Sequence, residues 1–285
     1  MIIDSHQHFW HYQPARDAWI TGDMSVIRRD FLPEDLTPEL DRNGVTASVA
    51  VQASQSEEET QFLLDLARDK DRICGVVGWL DLQSERVTER LQAWRGHEKL
   101  RGFRHVAQAE PDDRFLVRDE FVRGVRALAE FGFTYDILIF PRQLPAAIGL
   151  VKRCPGQRFV LDHVAKPPIK MGDIESWARD IRALASAGDV YCKLSGMVTE
   201  HDWRSWQQRD FDRYLDVVFE AFGPHRLMFG SDWPVCLVAA SYAQVKQIVV
   251  DYTQRNAPDF LGSIMGGNAA QFYGVKISHG FAAQK

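Results

Sequence analysis

The run Asp4-Ser5-His6-Gln7-His8 closes the first stretch of β-type sequence in the chain. In an extended segment residues two apart point to the same side, so His6 and His8 project together. Two imidazoles on one face make half of a divalent-metal site. His163 ends the run Phe159-Val160-Leu161-Asp162-His163, and Asp232 follows Leu227-Met228-Phe229-Gly230-Ser231. A carboxylate at such a place is costly to bury unless it faces cations or a metal. Each residue has a plainer reading when taken alone. His-x-His arises by chance, and His163 or Asp232 could be a hydrogen-bonded structural group. Taken together they stand at the ends of three strand-like runs, where imidazoles and a carboxylate can bind a metal or move protons. His11 lies past Phe9-Trp10 and is expected at the surface or the rim.

Something must bring these ends to one place. Eight β-type runs recur along the chain: Ile2–Ser5, Ala47–Gln52, Gly75–Leu80, Gly102–Val106, Thr134–Phe140, Phe159–His163, Val190–Ser195 and Leu227–Ser231. Several are continuously apolar, as parallel strands buried on both faces require. Helical patterns separate them. Ser56-Glu57-Glu58-Glu59 reads as a capping box. Glu120–Phe131, Ile174–Ala187 and Phe211–Phe222 each end before a glycine (Gly132, Gly188 and Gly223) that would supply a left-handed stop. Strands alternating with helices imply a parallel sheet. Eight such units point to a closed (β/α)8 TIM barrel, whose chemistry gathers at the C-terminal strand ends. An open doubly wound sheet usually carries a glycine-rich turn after its first strand, and here that turn reads Ser5-His6-Gln7-His8. Length alone would suit two domains at roughly 150 residues each. The rhythm instead predicts a single domain over residues 1–285, its site built from both ends of the chain.

Composition removes other classes. The chain is 45% hydrophobic and 26% charged, which excludes disorder and coiled coil. A net charge of −5 leaves no basic excess for nucleic acid or a membrane surface. The four cysteines are far apart with no CxxC, so buried free thiols in a reducing compartment are expected. The N-terminus has neither a basic nor an apolar leader segment, and no window approaches 18 apolar residues, so a cytoplasmic location is expected. No G-x-S-x-G or Walker loop occurs. A homo-oligomer is left open.

At this point a resemblance becomes specific. His6-Gln7-His8, His163 and Asp232 on a (β/α)8 rhythm resemble the amidohydrolase superfamily. Asp4-Ser5-His6-Gln7-His8-Phe9-Trp10, Leu100–His105, Asp162–Pro167, Lys193-Leu194-Ser195-Gly196, Thr199–Trp203, Phe229–Pro234 and Gly267–Ala270 are similar to its branch of sugar lactonases, the L-fuconolactonases and L-rhamnonolactonases. The resemblance runs from residue 2 to about residue 275 and implies hydrolysis of a lactone such as L-fucono-, L-rhamnono- or L-galactono-lactone. Metal-rich members of the superfamily carry a bridging Lys or Glu on strand four and a His on strand five. Here strand five has no His and strand four ends in Arg104-His105, so a binuclear centre is not expected. The resemblance implies at most one divalent ion, zinc, on His6, His8 and Asp232 with His163 nearby, and some relatives dispense with it.

A lactone is a cyclic ester. Opening it needs a polarised carbonyl, an activated water and a proton for the leaving oxygen. Asp232 is the expected general base, with His163 beside it. Arg104, His105, Lys166, Trp203 and Gln52 are the expected substrate contacts. Arg104 offers a planar fork of donors. Strand alternation sends Arg104 and His105 to opposite sides, so only one can face the interior squarely. The plainer readings are a salt bridge for Arg104, a surface position for Lys166 and a hydrophobic cap for Trp203. A zinc-dependent decarboxylase of an aromatic or muconate-type acid is the rival activity, and it would want several inward arginines. A catalytically silent barrel is the third reading.

Overall fold

The computed structural model describes residues 1–276. Eight parallel strands lie in one sheet in sequence order. They are β1 (Ile3–Gln7), β2 (Ala47–Val51), β3 (Ile73–Gly78), β4 (Leu100–His105), β5 (Thr134–Ile137), β6 (Phe159–Leu161), β7 (Val190–Leu194) and β8 (Leu227–Phe229). Between and after them run α1 (Pro33–Arg42), α2 (Glu57–Arg68), α3 (Val87–Trp94), α4 (Asp119–Glu130), α5 (Leu144–Arg153), α6 (Glu175–Ala185), α7 (Asp212–Phe222), α8 (Tyr242–Asn256) and α9 (Asn268–Tyr273). Gln7 bridges Trp233 in parallel, and the His8 amide donates to the Trp233 carbonyl at 2.7 Å. That contact joins the end of β1 to the segment after β8, and the fold is a single (β/α)8 barrel, as the rhythm predicts.

The strands are buried on both faces, which is why their sequences read as apolar runs. One core lies between strands and helices. A second, smaller cluster holds Val49, Val51, Val77, Val160 and Met228 together with Phe272 and Tyr273 of α9. The segment leading into α9 packs on the start of β1, where a Cβ on Gly266 would stand 2.9 Å from the Met1 carbonyl. Thus α9 plugs the N-terminal end of the barrel and leaves the other end for chemistry.

Several boundaries differ from the sequence expectation. β1 runs on to Gln7, so His6 is within the strand. β5 stops earlier than expected, at Ile137; β6 and β8 stop at Leu161 and Phe229, ahead of the left-handed backbone at His163 and Asp232. Ser56 does cap α2, accepting from the Glu59 amide at 3.1 Å. The Glu59 carboxylate does not return to Ser56; it takes the Ala53 and Ser54 amides at 2.5 and 2.8 Å and pins the loop after β2. Gly132 and Gly223 have positive φ, +77° and +66°. Gly188 does not; it is small because a Cβ there would stand 2.8 Å from Val151. All four cysteines are buried and free. Among the described residues no helix is long and apolar enough to cross a membrane.

Candidate active site

β1 carries His6 and aims it into the C-terminal mouth, with His8 one step beyond. Their Nε2 atoms lie 3.1 Å apart. The His8 Nδ1 faces the Val51 carbonyl at 2.7 Å, and since a carbonyl only accepts, Nδ1 carries a proton and Nε2 is the nitrogen left to ligate. Asp232 stands opposite. Its Oδ1 is 3.4 Å from His8 Nε2 and 3.8 Å from both His6 Nε2 and His163 Nε2. The four side chains expected from the sequence therefore meet at one point.

Two of them are delivered by strained backbone. His163, Val164, Ala165 and Lys166 all have φ between +47° and +59°, and Asp232 has φ +57°. A left-handed turn costs roughly 1–2 kcal/mol per non-glycine residue. Packing holds it here. Val164 and Ala165 are wholly buried, Trp177 donates to the Val164 carbonyl at 2.9 Å, and Ser195 meets the His163 Nδ1 at 2.9 Å. Strain of this kind gathers where a site over-determines its geometry. Gly196 lies against the same ring with φ +65°, and a Cβ on it would stand 2.6 Å from the imidazole Cγ. Gly196→Ala is therefore expected to push His163 aside. Turnover should fall by about 100-fold, the order expected of a misplacement near 1 Å, while the protein stays folded by circular dichroism.

Burial shapes the acid–base character of the group. Burial pushes the His163 pKa down to about 4 against the pull of Asp232 and Asp162, so this ring is neutral at pH 7. For Asp232 burial acts in the opposite sense and would raise the carboxyl. His163, His8 and His6 outweigh it and hold the carboxylate well below its usual range.

Beneath this point lies a buried charge network to which the sequence reading gave no role. Lys193 of β7 is wholly buried, and its Nζ contacts Asp136 Oδ2 at 2.5 Å, Asp162 Oδ1 at 2.9 Å and His6 Nδ1 at 3.0 Å. Tyr273 of α9 donates to the same Asp136 oxygen at 2.7 Å. Burial raises Asp136 to about 6, with Lys193 pulling the other way. Asp162 would also be raised by burial, but Lys193, His6 and Arg104 hold it well below the carboxylate range. Lys193 and Asp162 lie inside the stretches that carried the resemblance. A lysine inside the apolar run of β7 was the signal.

Arg104 of β4 turns inward. It donates to Asp162 Oδ2 at 2.9 Å, to the Gln52 side-chain oxygen at 3.2 and 2.9 Å, and to the Gln52 carbonyl. Its fork is thus largely engaged by the protein. Gln52 is wholly buried as the partner of Arg104 and does not line the cavity. His105, next on the strand, faces the other way. It stacks on Phe115 at 4.7 Å between ring centres and meets Glu110 at 2.7 Å. The structure does not bring Gln52 or His105 to the mouth as substrate contacts. Gln52 is held as Arg104's acceptor, and pleat alternation carries His105 outward.

The mouth opens on a cavity of about 590 Å³, within the range of small-ligand sites. His8, His163 and Asp232 form its floor, with Arg104, Lys166 and Trp203 in its walls. Glu200 also lines it, from the loop after β7, and burial raises its carboxyl against the pull of Lys166. His11 is exposed and pairs with Asp30 at 2.7 Å, away from the site.

The donor set suits one divalent ion. His6 Nε2, His8 Nε2 and Asp232 Oδ1 lie 3.1–3.8 Å apart. Ligands at about 2.0–2.2 Å from a tetrahedral ion are separated by roughly 3.3–3.6 Å. The Nε2 of His8 points into that triangle.

Fold and site together describe a (β/α)8 hydrolase with imidazoles and a carboxylate around one point. The amidohydrolase family matches residues 3–275, and the chain belongs to it. It is similar to an L-fucono-1,5-lactonase of Burkholderia multivorans, with 45% identity over 96% of both chains. An L-fucono-1,5-lactonase of Burkholderia ambifaria is 35% identical over 96% of this chain and 95% of that one. A crystal structure of an amidohydrolase from Burkholderia multivorans with bound zinc superposes with a TM-score of 0.93 at 43% identity, over 97% of this chain and all of that one.

Proposed function

We propose that this protein hydrolyses a sugar lactone of the L-fucono-, L-rhamnono- or L-galactono-lactone type to the aldonic acid, as one catalytic domain spanning residues 1–285. The reading rests on the convergence of Asp232 with His6, His8 and His163 at the floor of a ligand-sized cavity, in a chain closely related to L-fucono-1,5-lactonases. The four buried free thiols suit a reducing cytoplasm.

Asp232 takes the proton from the attacking water. Its low basicity is offset by placement, since a held water and a held carboxylate react as neighbours. Ser195 can donate to the His163 Nδ1, which places the single proton of neutral His163 on Nε2, facing Asp232 and the cavity. From there it stabilises the charge growing on the carbonyl oxygen. The alkoxide released on ring opening recovers the proton from Asp232. His6, His8 and Asp232 would hold a zinc ion, which supplies Lewis acidity at the carbonyl.

Substrate recognition falls to the walls. Lys166 and Glu200 offer a donor and an acceptor to ring hydroxyls, and Trp203 offers an apolar face. The decarboxylase alternative would want free arginines for substrate carboxylates, and Arg104 is already engaged by Asp162 and Gln52. A pH-indicator assay over a panel of neutral sugar lactones tests the proposal. L-Fucono-lactone and its close stereoisomers should be opened well above the spontaneous rate. No acceleration on any member would end the lactonase reading.

A further inference from the structure

His6 belongs to two groups of potential metal ligands. One is His6, His8 and Asp232; the other is His6, Asp162 and His163, and in each the ligand atoms lie within 4.8 Å of one another. Both are buried, and both join two imidazoles to one carboxylate. They differ in what already lies on them. Lys193 Nζ is 2.9 Å from Asp162 Oδ1 and 3.0 Å from His6 Nδ1, the face of each that a second ion would need. Arg104 holds the other Asp162 oxygen at 2.9 Å and lies 3.3 Å from His6 Nε2, so the two clusters differ at their carboxylates. Two fixed cations thus balance Asp162. Among the described residues Asp232 makes ion pairs only with histidines.

Lys193 donates to Asp136, pairs with Asp162 at 2.9 Å and stands 3.0 Å from His6 Nδ1; with an ion on Nε2 the His6 proton would sit on Nδ1 and face Asp162 Oδ1 at 3.3 Å. Lys193 is wholly buried, and Tyr273 buttresses its Asp136 partner from the far end of the barrel. Such a cation does not swing away to make room for an ion.

We propose that Lys193 is an internal cation filling the second metal-competent cluster, and that it limits this barrel to a single divalent ion at His6, His8 and Asp232. Lys193 is a positioning residue in this scheme, because it acts through His6 and Asp162. The inference rests on the metal reading of His6, His8 and Asp232 and is independent of which lactone is opened.

Dialysis of the full chain against zinc chloride, followed by elemental analysis, reads the stoichiometry directly. The wild-type protein should saturate at one zinc per chain and Lys193→Ala at two, His6 then giving Nε2 to one ion and Nδ1 to the other as its ring proton leaves to solvent. Adding Asp162→Asn to Lys193→Ala should return the count to one, and Lys193→Arg should keep it at one. If Lys193→Ala alone does not fold, Lys193→Ala with Asp136→Asn removes one buried charge of each sign and opens the same cluster, and it should bind two. A wild-type count of two or of none overturns the proposal. So does a folded Lys193→Ala protein, or the folded pair, that saturates at one. A failed lactone panel leaves these counts unchanged, so the two readings fail separately.

Discussion

Asp232→Asn is expected to lower kcat on a sugar lactone by about 1,000-fold or more and to leave the melting temperature within a few degrees of wild type. The two halves of that result have separate causes. General-base catalysis contributes about 100- to 10,000-fold, and an amide cannot take the proton. The fold survives because asparagine tolerates the left-handed backbone that residue 232 adopts at φ +57°. The substitution is also isosteric, so the contacts of the segment remain, including the residue 232 amide donating to the His6 carbonyl at 2.8 Å. Steady-state kinetics with a pH indicator and thermal denaturation by circular dichroism check the two halves. A kcat within tenfold of wild type would remove Asp232 as base and leave His8, whose Nε2 faces the same point with its Nδ1 proton on the Val51 carbonyl, to take the proton.

The barrel was legible because a parallel strand covered on both faces has to be largely apolar, as Ile73–Gly78 is and as Ala47–Val51 is apart from Ser48. His6, His8, His163 and Asp232 were legible for the opposite reason. They are polar groups at the ends of apolar runs, where burial has to be balanced by chemistry. Strand ends were read less well, because the left-handed turn that starts at His163 runs on through valine and alanine, which have no intrinsic preference for it. Lys193 passed unread since a single lysine in a strand looks like a solvent contact until its two carboxylate partners from β5 and the end of β6 are brought to it. Gln52 and His105 mark the other limit. Their types suit substrate binding, but Arg104 claims the first and pleat geometry turns the second onto Phe115. Local pattern locates a residue on a strand; the partner waiting across the barrel decides its task.

Asp4 shows that rule at the closure of the barrel and carries the second large effect. It is wholly buried, and its carboxylate accepts from the Ser231 hydroxyl at 2.6 Å, the Ser231 amide at 2.8 Å, the Tyr242 hydroxyl at 2.9 Å and the His6 amide at 3.1 Å. One side chain of β1 thereby fastens the segment after β8 and the first turn of α8. Asp4→Ala would leave those donors without an acceptor in a place closed to solvent. A buried donor left unpaired costs about 1–3 kcal/mol, and with partial rescue by relaxation the total should be about 3–5 kcal/mol. At roughly 2–3 °C per kcal/mol the melting temperature should fall by about 6–15 °C. Tyr242→Phe, which removes one of the four bonds and leaves the carboxylate otherwise satisfied, should cost only about 1 kcal/mol. Activity of Asp4→Ala should fall as well, below the temperature where it melts, because the same bonds set His6 against Asp232. Equal melting temperatures for wild type and Asp4→Ala would mean that the Gln7–Trp233 bridge closes the barrel by itself.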